Sequence, residues 1–206
     1  MPPYNIVTLI VTNYTTYLDQ CIKSAINPLV VFDGIDPVKG DYHYLQCNAS
    51  RPSIARNVGL KDIECEFVQF LDSDDYLNND YYDKVLTYIS DDYDLFYTDY
   101  NIINEEFNFS HKHYLTSLSD LSSCIFTIKN PLVRLSALKK IKNEPFNSNF
   151  RCHEFVDLIK NIGIEKCYHI PYNLQNVRIH AKSHNRSISK EESDQVIRSM
   201  GGQTNG

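Results

Sequence analysis

Short apolar runs alternate with amphipathic stretches through the first half of the chain, which is the pattern of a layered α/β domain. The apolar runs are rich in β-branched and aromatic residues and predict strands over residues 4–11, 29–32, 42–47, 66–71 and 94–98. Three amphipathic stretches predict helices, which begin at Thr15 or Thr16, at Ser50 or Ser53, and at Asn79 or Asp80, and end near residues 26, 60 and 89. The first strand is nearly all apolar, as strands of a buried parallel sheet are.

The pattern loosens after residue 100. There the sequence predicts a hairpin or excursion over residues 101–115, a strand over 124–129, helices over 131–140 and 152–161, and short strands over 165–170 and 173–180. No shift in composition divides the chain, so we expect one compact domain over residues 1–187. The polar segment 188–206 is expected to form a C-terminal helix and a linker-like tail.

Composition and charge narrow the class of protein. Hydrophobic residues make up 42% of the 206 residues and charged residues 22%, which excludes a disordered, collagenous or coiled-coil chain. The net charge of −6 argues against nucleic-acid binding, because a protein that binds duplex DNA through its phosphate backbone should be basic. No apolar run approaches the ~20 residues of a membrane span. The six cysteines form no Cys-x-x-Cys pair, which favours free thiols in a soluble, cytoplasmic protein.

An acidic cluster follows the fourth predicted strand directly. Asp72, Asp74 and Asp75 come immediately after residues 66–71, so they lie at the carboxyl end of a strand, where open α/β sheets bind ligands. Three carboxylates so close together repel one another unless a cation joins them, and oxygen ligands suit Mg²⁺ or Mn²⁺. Such an ion could hold a diphosphate. The alternative is a capped turn, since Asp also favours loops.

Three further segments carry groups that could serve a site at this edge. Arg51 and Arg56 lie near a helix start and could meet phosphate or pair with the acidic cluster. His180 lies among cationic residues and is either a metal ligand or a surface residue. Glu154 lies at a helix start and could act as a general base or only stabilise the helix N-terminus.

Taken together and in this order, these segments resemble a family 2 glycosyltransferase of the GT-A fold, a Rossmann-like fold with a mixed, mostly parallel sheet. Residues 55–60 (ARNVGL) match the family's Ala-Arg-Asn-x-Gly helix, and residues 70–77 (FLDSDDYL) match its Asp-x-Asp-Asp motif. The family's first turn, its Asp-Asp-Gly-Ser-x-Asp segment and its late Tyr-Arg-x-His-x-x-Ser segment are similar to residues 12–14 (TNY), 33–36 (DGID) and 177–183 (VRIHAKS).

The resemblance implies a nucleoside diphosphate sugar, expected to be UDP-linked, held through Mn²⁺ or Mg²⁺. Residues 1–99 would form the nucleotide-binding half and residues 100–187 the acceptor-side half. The implied nucleotide-sugar-binding residues are Thr12, Asn13, Asp33, Arg56, Asp72 and Asp74, with Asp33 on the base. The implied metal ligands are Asp74, Asp75 and His180, and the implied catalytic residues are Glu154 and Asp75. The acceptor would be a hydroxyl of a glycan or glycoprotein.

The sequence departs from the family pattern in two places. The acceptor-side helix of the family carries Glu-Asp, with Asp as the base of inverting members, whereas the matching pair here is His153-Glu154, or the match slips to Asp157. The segment between Asp33 and Tyr42 is too short for the usual second helix, so the domain is a compact version and could belong to a longer polypeptide.

Two other functions stay open on the sequence alone. One is a non-catalytic domain that binds a nucleotide sugar. The other is a nucleotidyltransferase, although residues 11–17 lack the glycines and the basic residue that such enzymes carry after the first strand. Sugars stack on aromatic rings, so Tyr97, Tyr100 or Tyr114 could line an acceptor groove.

Overall fold

The structure is a computed structural model that describes residues 4–104, 109–114, 128–150 and 153–181, together with residues 191, 194, 195 and 198. The predicted strand over 124–129 falls almost wholly outside these residues, as does most of the predicted C-terminal helix and tail.

Nine strands and five α-helices make up the described part of the chain. The strands are β1 (Ile6–Thr12), β2 (Pro28–Asp33), β3 (His43–Cys47), β4 (Phe67–Asp72), β5 (Tyr76–Leu77), β6 (Leu95–Asn104), β7 (Phe109–His113), β8 (Leu132–Arg134) and β9 (Cys167–Ile179). The helices are α1 (Leu18–Lys23), α2 (Pro52–Leu60), α3 (Tyr81–Val85), α4 (Leu135–Lys140) and α5 (Glu154–Ile162), with 3₁₀ turns at Leu86–Tyr88 and Ile164–Lys166.

All nine strands belong to one sheet, in the order β3-β2-β1-β4-β8-β6-β9-β5, with β7 paired to β6. Strands β1 to β4 are parallel to one another. Strand β8 runs antiparallel to both β4 and β6, so β6 points the same way as β4, and β9 is parallel to β6. The sheet is therefore mixed and mostly parallel, as the sequence predicts.

Helices cover both faces of the sheet. One buried cluster joins Leu9 of β1 to residues of α2, α4 and α5, including Ala55, Leu138 and Ile159. The other joins Ile10 of β1 to α1 and α3. Neighbouring residues of β1 thus enter opposite cores, which explains why this strand is nearly all apolar. Within the described ranges, no helix combines the length and apolar character that crossing a bilayer would require.

Several predicted elements differ from those observed. Residues 132–134 form β8 rather than the start of a helix, and α4 begins only at Leu135. The two strands expected over 165–170 and 173–180 are one strand, β9. Helix α1 begins at Leu18 without a threonine cap. The hairpin expected after residue 100 is confirmed by the antiparallel pairing of β6 with β7.

Candidate active site

The carboxyl ends of the parallel strands bring most of the predicted residues to one edge of the sheet. Strands β1, β2 and β4 end at Thr12, Asp33 and Asp72, and β9, which has the same direction, ends immediately before His180. This edge is where ligands bind in open α/β sheets. The fold therefore gathers residues that are far apart in the sequence.

The turn after β4 fixes Asp75 inside the protein. The Asp75 N–H donates to the Asp72 carbonyl at 2.9 Å, which closes the turn. The Asp75 side chain accepts hydrogen bonds from the Arg178 backbone N–H at 2.9 Å and from the Asn130 amide at 2.8 Å, and the residue is only 3% exposed. Burial, together with the charges of Asp74 and Asp72, raises the pKa of Asp75 well above its usual range.

Asn130 holds the acidic turn together, and the sequence analysis missed it. Its side-chain amide donates to Asp75, while its side-chain oxygen accepts the Asp72 backbone N–H at 2.9 Å. Asn130 is fully buried and has a positive φ of 44°, a conformation that Asn tolerates better than most residues. The only sequence signal was the Asn130-Pro131 pair, which indicates a turn and not a contact with the acidic motif.

The side chains of Asp74 and His180 contact each other beside the acidic turn. The His180 Nε2 atom lies 3.1 Å from Asp74 Oδ2 and 2.7 Å from the Tyr14 hydroxyl. The imidazole also packs against the Tyr17 ring, with 5.0 Å between centroids. Burial and the charge of Asp72 raise the pKa of Asp74, and burial and the charge of Asp74 raise the pKa of Tyr14. The late histidine is thus held beside the acidic motif.

Arg178 links β9 to the acidic turn and to α1. Its backbone N–H donates to Asp75, and its Nε donates to the Asp74 carbonyl at 2.9 Å. Its Nη2 reaches the Gln20 side chain at 2.7 Å, and the guanidinium lies 4.2 Å from the Tyr17 ring centroid. The sequence analysis placed Arg178 in a motif but gave it no role. Its role here is to lock the turn in place.

The other residues implied for the nucleotide sugar lie at the same edge but differ in exposure. Thr12 is buried and its hydroxyl donates to the Tyr14 carbonyl, which shapes the turn after β1, whereas Asn13 is exposed. Asp33 accepts backbone N–H bonds from Ala49, Ser50 and Arg51 at 2.6, 3.0 and 3.2 Å. Asp33 therefore orders the loop that leads into α2.

Arg56 connects the acidic motif to Glu154, the residue expected to act as the general base. Its Nη2 donates to Asp72 at 2.7 Å, and its Nη1 lies 3.7 Å from Glu154 Oε1. The ion pair with the acidic motif, one of the two alternatives from the sequence, is thus present. Glu154 is the first residue of α5, so the fold brings the acceptor-side helix against the donor-side motif.

Of the three tyrosines expected to line an acceptor groove, two are buried. Tyr97 and Tyr100 are 1% and 4% exposed and belong to the core around α5, so they cannot stack on a sugar. That hypothesis was wrong for both, because Tyr97 and Tyr100 belong to the buried cluster that also contains residues of α5. Tyr114 is 67% exposed.

The residues present can be tested for their fit to a cation. In the part of the chain that the structure describes, no three His, Cys, Asp or Glu side chains gather into a metal-binding cluster. Two candidate ligand atoms do lie close together, Asp74 Oδ2 and His180 Nε2, at 3.1 Å. Adjacent ligand atoms of an octahedral ion bound at ~2.1 Å are about 3.0 Å apart. The same separation is that of the hydrogen bond between the two side chains, so an ion held by both atoms would take the place of that bond.

Comparison with known proteins defines the class. The model of glycosyl transferase family 2 matches residues 7–156, more than half of the chain, and the chain therefore belongs to this family of glycosyltransferases. No curated protein sequence matches the chain significantly. Among solved structures, S. aureus TarS 1-349 in complex with UDP-GlcNAc is similar over 95% of this chain, with a TM-score of 0.75 and 18% identity. The complex of TarS 1-349 with UDP gives a TM-score of 0.70 and 16% identity over the same share.

At this identity the similarity establishes the GT-A fold. The chain spans 65% of the TarS structure bound to UDP-GlcNAc and 64% of the one bound to UDP, which is less than two thirds of either.

Proposed function

We propose that the protein transfers a sugar from a UDP-linked donor to a hydroxyl of a glycan or glycoprotein, with Mn²⁺ or Mg²⁺. The observation that carries the proposal is the meeting of Asp72, Asp74 and His180 at one sheet edge, with Glu154 joined to them through Arg56. Family membership supports the reaction class. The TarS complexes contain UDP-GlcNAc and UDP, which makes UDP sugars the first donors to test.

The metal would be held by Asp74 and His180. Asp75, the third ligand expected from the sequence, is 3% exposed and accepts the Arg178 N–H and the Asn130 amide on its two carboxylate oxygens, so in this conformation it would support the turn instead of binding the ion. Asp74 and His180 supply one carboxylate oxygen and one imidazole nitrogen, and Mg²⁺ in proteins commonly takes one or two carboxylates and completes its shell with phosphate oxygens and water. When bound, the ion would neutralise charge on the diphosphate. The hydrogen bonds of Asp75 to Asn130 and Arg178 would keep the turn in one conformation as the donor binds.

The remaining residues of the edge would bind the nucleotide. Thr12 ends β1 and Asn13 follows it, and Asp33 and Asp72 end the two strands that pair with β1 on either side. The Asp33 carboxylate already accepts three backbone N–H groups, so it would bind the nucleobase through its remaining lone pairs.

Glu154 would take the proton from the acceptor. In a direct displacement, the acceptor oxygen forms a bond to the anomeric carbon while the bond from that carbon to the diphosphate breaks. The diphosphate leaves with the bonding electrons, and the hydroxyl proton moves to the Glu154 carboxylate. Holding both substrates at one edge replaces a bimolecular encounter with a positioned reaction.

Calorimetric titration tests the donor site. UDP, GDP, UDP-GlcNAc and UDP-glucose are titrated into the protein with Mn²⁺, with Mg²⁺ and with EDTA. We expect metal-dependent binding of the uridine nucleotides, weakened at least tenfold by Asp74→Asn. The matched control is Asp92→Asn, because Asp92 is exposed and lies before β6 at the opposite edge. If no nucleotide binds under any condition, or if Asp74→Asn has no effect, the proposal is wrong.

Turnover then separates an enzyme from a binding domain. Release of UDP from the donor that binds is measured with water or a glycan as acceptor. We expect release by the wild type and its loss in Glu154→Gln, with donor binding unchanged. Binding without any release would mean a non-catalytic domain.

A further inference from the structure

The helix that carries the Ala-Arg-Asn-x-Gly motif binds the acceptor-side segment along its length. The Asn57 side chain donates to the Phe146 carbonyl at 2.7 Å and accepts the Phe146 N–H at 3.1 Å. Ser53 donates to the Phe150 carbonyl, and Arg51 donates to the Ser148 carbonyl. Helix α2 thus fixes the backbone that precedes α5. The motif, which the family resemblance assigns to the donor side, also organises the acceptor side.

Arg56 extends these contacts to α5 itself. Its guanidinium lies 4.8 Å from the centroid of the Phe155 ring and 5.5 Å from that of Phe146, and its side chain is only 8% exposed. A planar guanidinium stacked on aromatic rings is fixed in orientation as well as in position. The two residues that open α5 therefore both contact Arg56, one through its ring and the other, Glu154, through its charge.

The two terminal nitrogen atoms of the Arg56 guanidinium differ in their hydrogen bonding. Nη2 donates to Asp72 at 2.7 Å, but Nη1 is buried and has no hydrogen-bond acceptor among the described residues. The nearest carboxylate oxygen is Glu154 Oε1 at 3.7 Å, less than 1 Å beyond hydrogen-bond distance. An unsatisfied buried donor is costly, so Nη1 attracts the Glu154 carboxylate toward Asp72.

The backbone directs Glu154 the same way. His153, immediately before it, has a positive φ of 58°, a left-handed conformation that is uncommon for residues other than Gly, although His, Asn and Asp adopt it more often than most. Strained backbone persists where surrounding contacts hold it and is concentrated at functional sites. The Phe155 ring beneath Arg56 is one such contact. The helix that starts after this residue carries Glu154 beside the guanidinium, with its Oε1 atom 3.7 Å from Nη1.

We infer that Arg56 is a positioning residue that holds the Glu154 carboxylate at a fixed place beside Asp72, and so aligns the base with the donor. The inference rests on the proposed function. It gives Arg56 a role in the proton-transfer step, in addition to any contact with the diphosphate. Displacing a reacting group by about 1 Å can cost about 100-fold in rate, so this role affects kcat more than donor affinity.

A double-mutant cycle tests the inference on the full chain. The variants are Arg56→Lys, which keeps the charge but loses the planar fork, and Glu154→Asp, which withdraws the carboxylate by about 1.5 Å, one carbon–carbon bond. Release of UDP from UDP-GlcNAc or UDP-glucose with Mn²⁺ gives kcat and KM, and titration with UDP gives Kd. We expect Arg56→Lys to lower kcat about 10- to 100-fold in the wild type and less than twofold in Glu154→Asp. The Kd for UDP should stay within about threefold.

The control is Arg134→Lys. Arg134 also lies over an aromatic ring, that of Phe67 at 4.7 Å, and pairs with Asp94 at 3.4 Å. It belongs to β8, however, and pairs with Phe67, the first residue of β4, so it is far from the carboxyl end of that strand. The kcat of the Arg134→Lys variant should equal that of the wild type. Thermal unfolding of each variant shows that it is folded.

The outcomes separate this inference from the proposed function. If the wild type releases UDP and the two substitutions act independently on kcat, Arg56 does not position Glu154 and the inference is overturned. The same holds if Arg56→Lys acts only through donor affinity. If the wild type neither binds nor turns over any UDP sugar, the proposed function itself fails, and the inference fails with it.

Discussion

At the scale of single residues, the acidic turn depends on one buried amide. The NH₂ group of the Asn130 side chain donates to the Asp75 carboxylate, and its oxygen accepts the Asp72 N–H, so the site uses both the donor and the acceptor of the amide. A carboxylate at this position would face another carboxylate and remove the donor to Asp75. The chemistry of the side chain, rather than its size, is therefore what the site requires.

Asn130→Asp should accordingly lower the free energy of unfolding by about 2–4 kcal/mol at pH 7, because it leaves an uncompensated buried charge. The measurement is urea unfolding of the metal-free protein. Asn143→Asp is the matched control, since Asn143 also has a positive φ, 70°, but is exposed. The control should change stability by less than about 0.5 kcal/mol. Equal effects of the two substitutions would show that the buried amide has no special role.

The buried carboxyl group of Asp157 makes the stability of the protein depend on pH. It lies one turn after Glu154 in α5, is 9% exposed, and its pKa is raised by burial, with the charge of Lys160 opposing the rise. A raised pKa in the folded state means that folding favours the neutral form. The stability from this group is therefore complete below the unfolded-state value of about 3.9 and is lost as the pH rises through the folded-state pKa.

Asp157→Asn removes this loss. The melting temperature of the variant relative to the wild type should therefore increase between pH 4 and pH 7. Comparing the two proteins at each pH cancels the contributions of Asp74 and Asp75. A difference that is constant with pH would contradict the assignment. UDP release by the variant also tests whether Asp157, rather than Glu154, is the base.

At the scale of elements, α2 is held against the sheet at Gly59. A Cβ atom there would come within 2.4 Å of Leu9 Cδ1 and 3.1 Å of Val31 Cγ2, so only glycine allows this approach. Both neighbours are in the core. Because α2 carries Arg56 and Asn57, its distance from the sheet also sets the position of the site.

Gly59→Ala should lower the free energy of unfolding by about 1–2 kcal/mol. Overpacking a core costs about 1–3 kcal/mol, and the better helix propensity of Ala returns up to about 1 kcal/mol. The effect should be smaller in a Leu9→Val background, where both Cδ atoms that meet the new methyl group are absent. Denaturant unfolding of the wild type, the two single variants and the double variant measures the cost of Gly59→Ala and its dependence on the Leu9 side chain. A neutral or stabilising Gly59→Ala would contradict the close approach.

The same scale shows which elements can be predicted from sequence. Strands β1, β2 and β4 and helix α2 are marked by local patterns, and the Asp72–Asp75 motif follows from its place after β4. Strand β8 has no such mark: Leu132 and Leu135 have helical spacing, and residues 132–134 are extended because they pair with β4 and β6 at once. Pro171 lies between the two predicted strands, at the point where the register of β9 against β6 shifts, and a bulge tolerates a residue without an N–H.

The site divides in the same way. Residues 55–60 and 72–75 are contiguous motifs, and His180 follows a motif, so sequence could identify them. The contacts of Asn130 with the turn span 55 and 58 residues of sequence, and those of Arg178 span more than 100. Such partners are chosen by the fold, so a local pattern does not report them.

At the scale of the whole molecule, the two predicted halves are interleaved in one sheet. Strand β8, from the second half, separates β4 from β6, and β5, from the first half, pairs with β9. Strand β6 begins in the first half and ends in the second. The Asp75 side chain of the donor-side motif therefore takes both of its hydrogen bonds from the acceptor-side half of the chain, through Asn130 and Arg178.

This arrangement predicts that residues 1–99 do not fold alone, although they contain the regular strand–helix alternation and the whole acidic motif. In the fragment, β4 would lose its partner β8 and expose an apolar edge, which favours aggregation, and Asp75 would lose both of its side-chain donors. We expect the fragment to show no cooperative thermal transition by circular dichroism and no binding of UDP, under conditions where the full chain shows both. Adding a separate chain of residues 100–206 during refolding should restore the transition, because it supplies β8, β9 and Asn130. A fragment that melts cooperatively by itself would show that the first half is an independent folding unit, and that the second half completes the site without being needed for the fold.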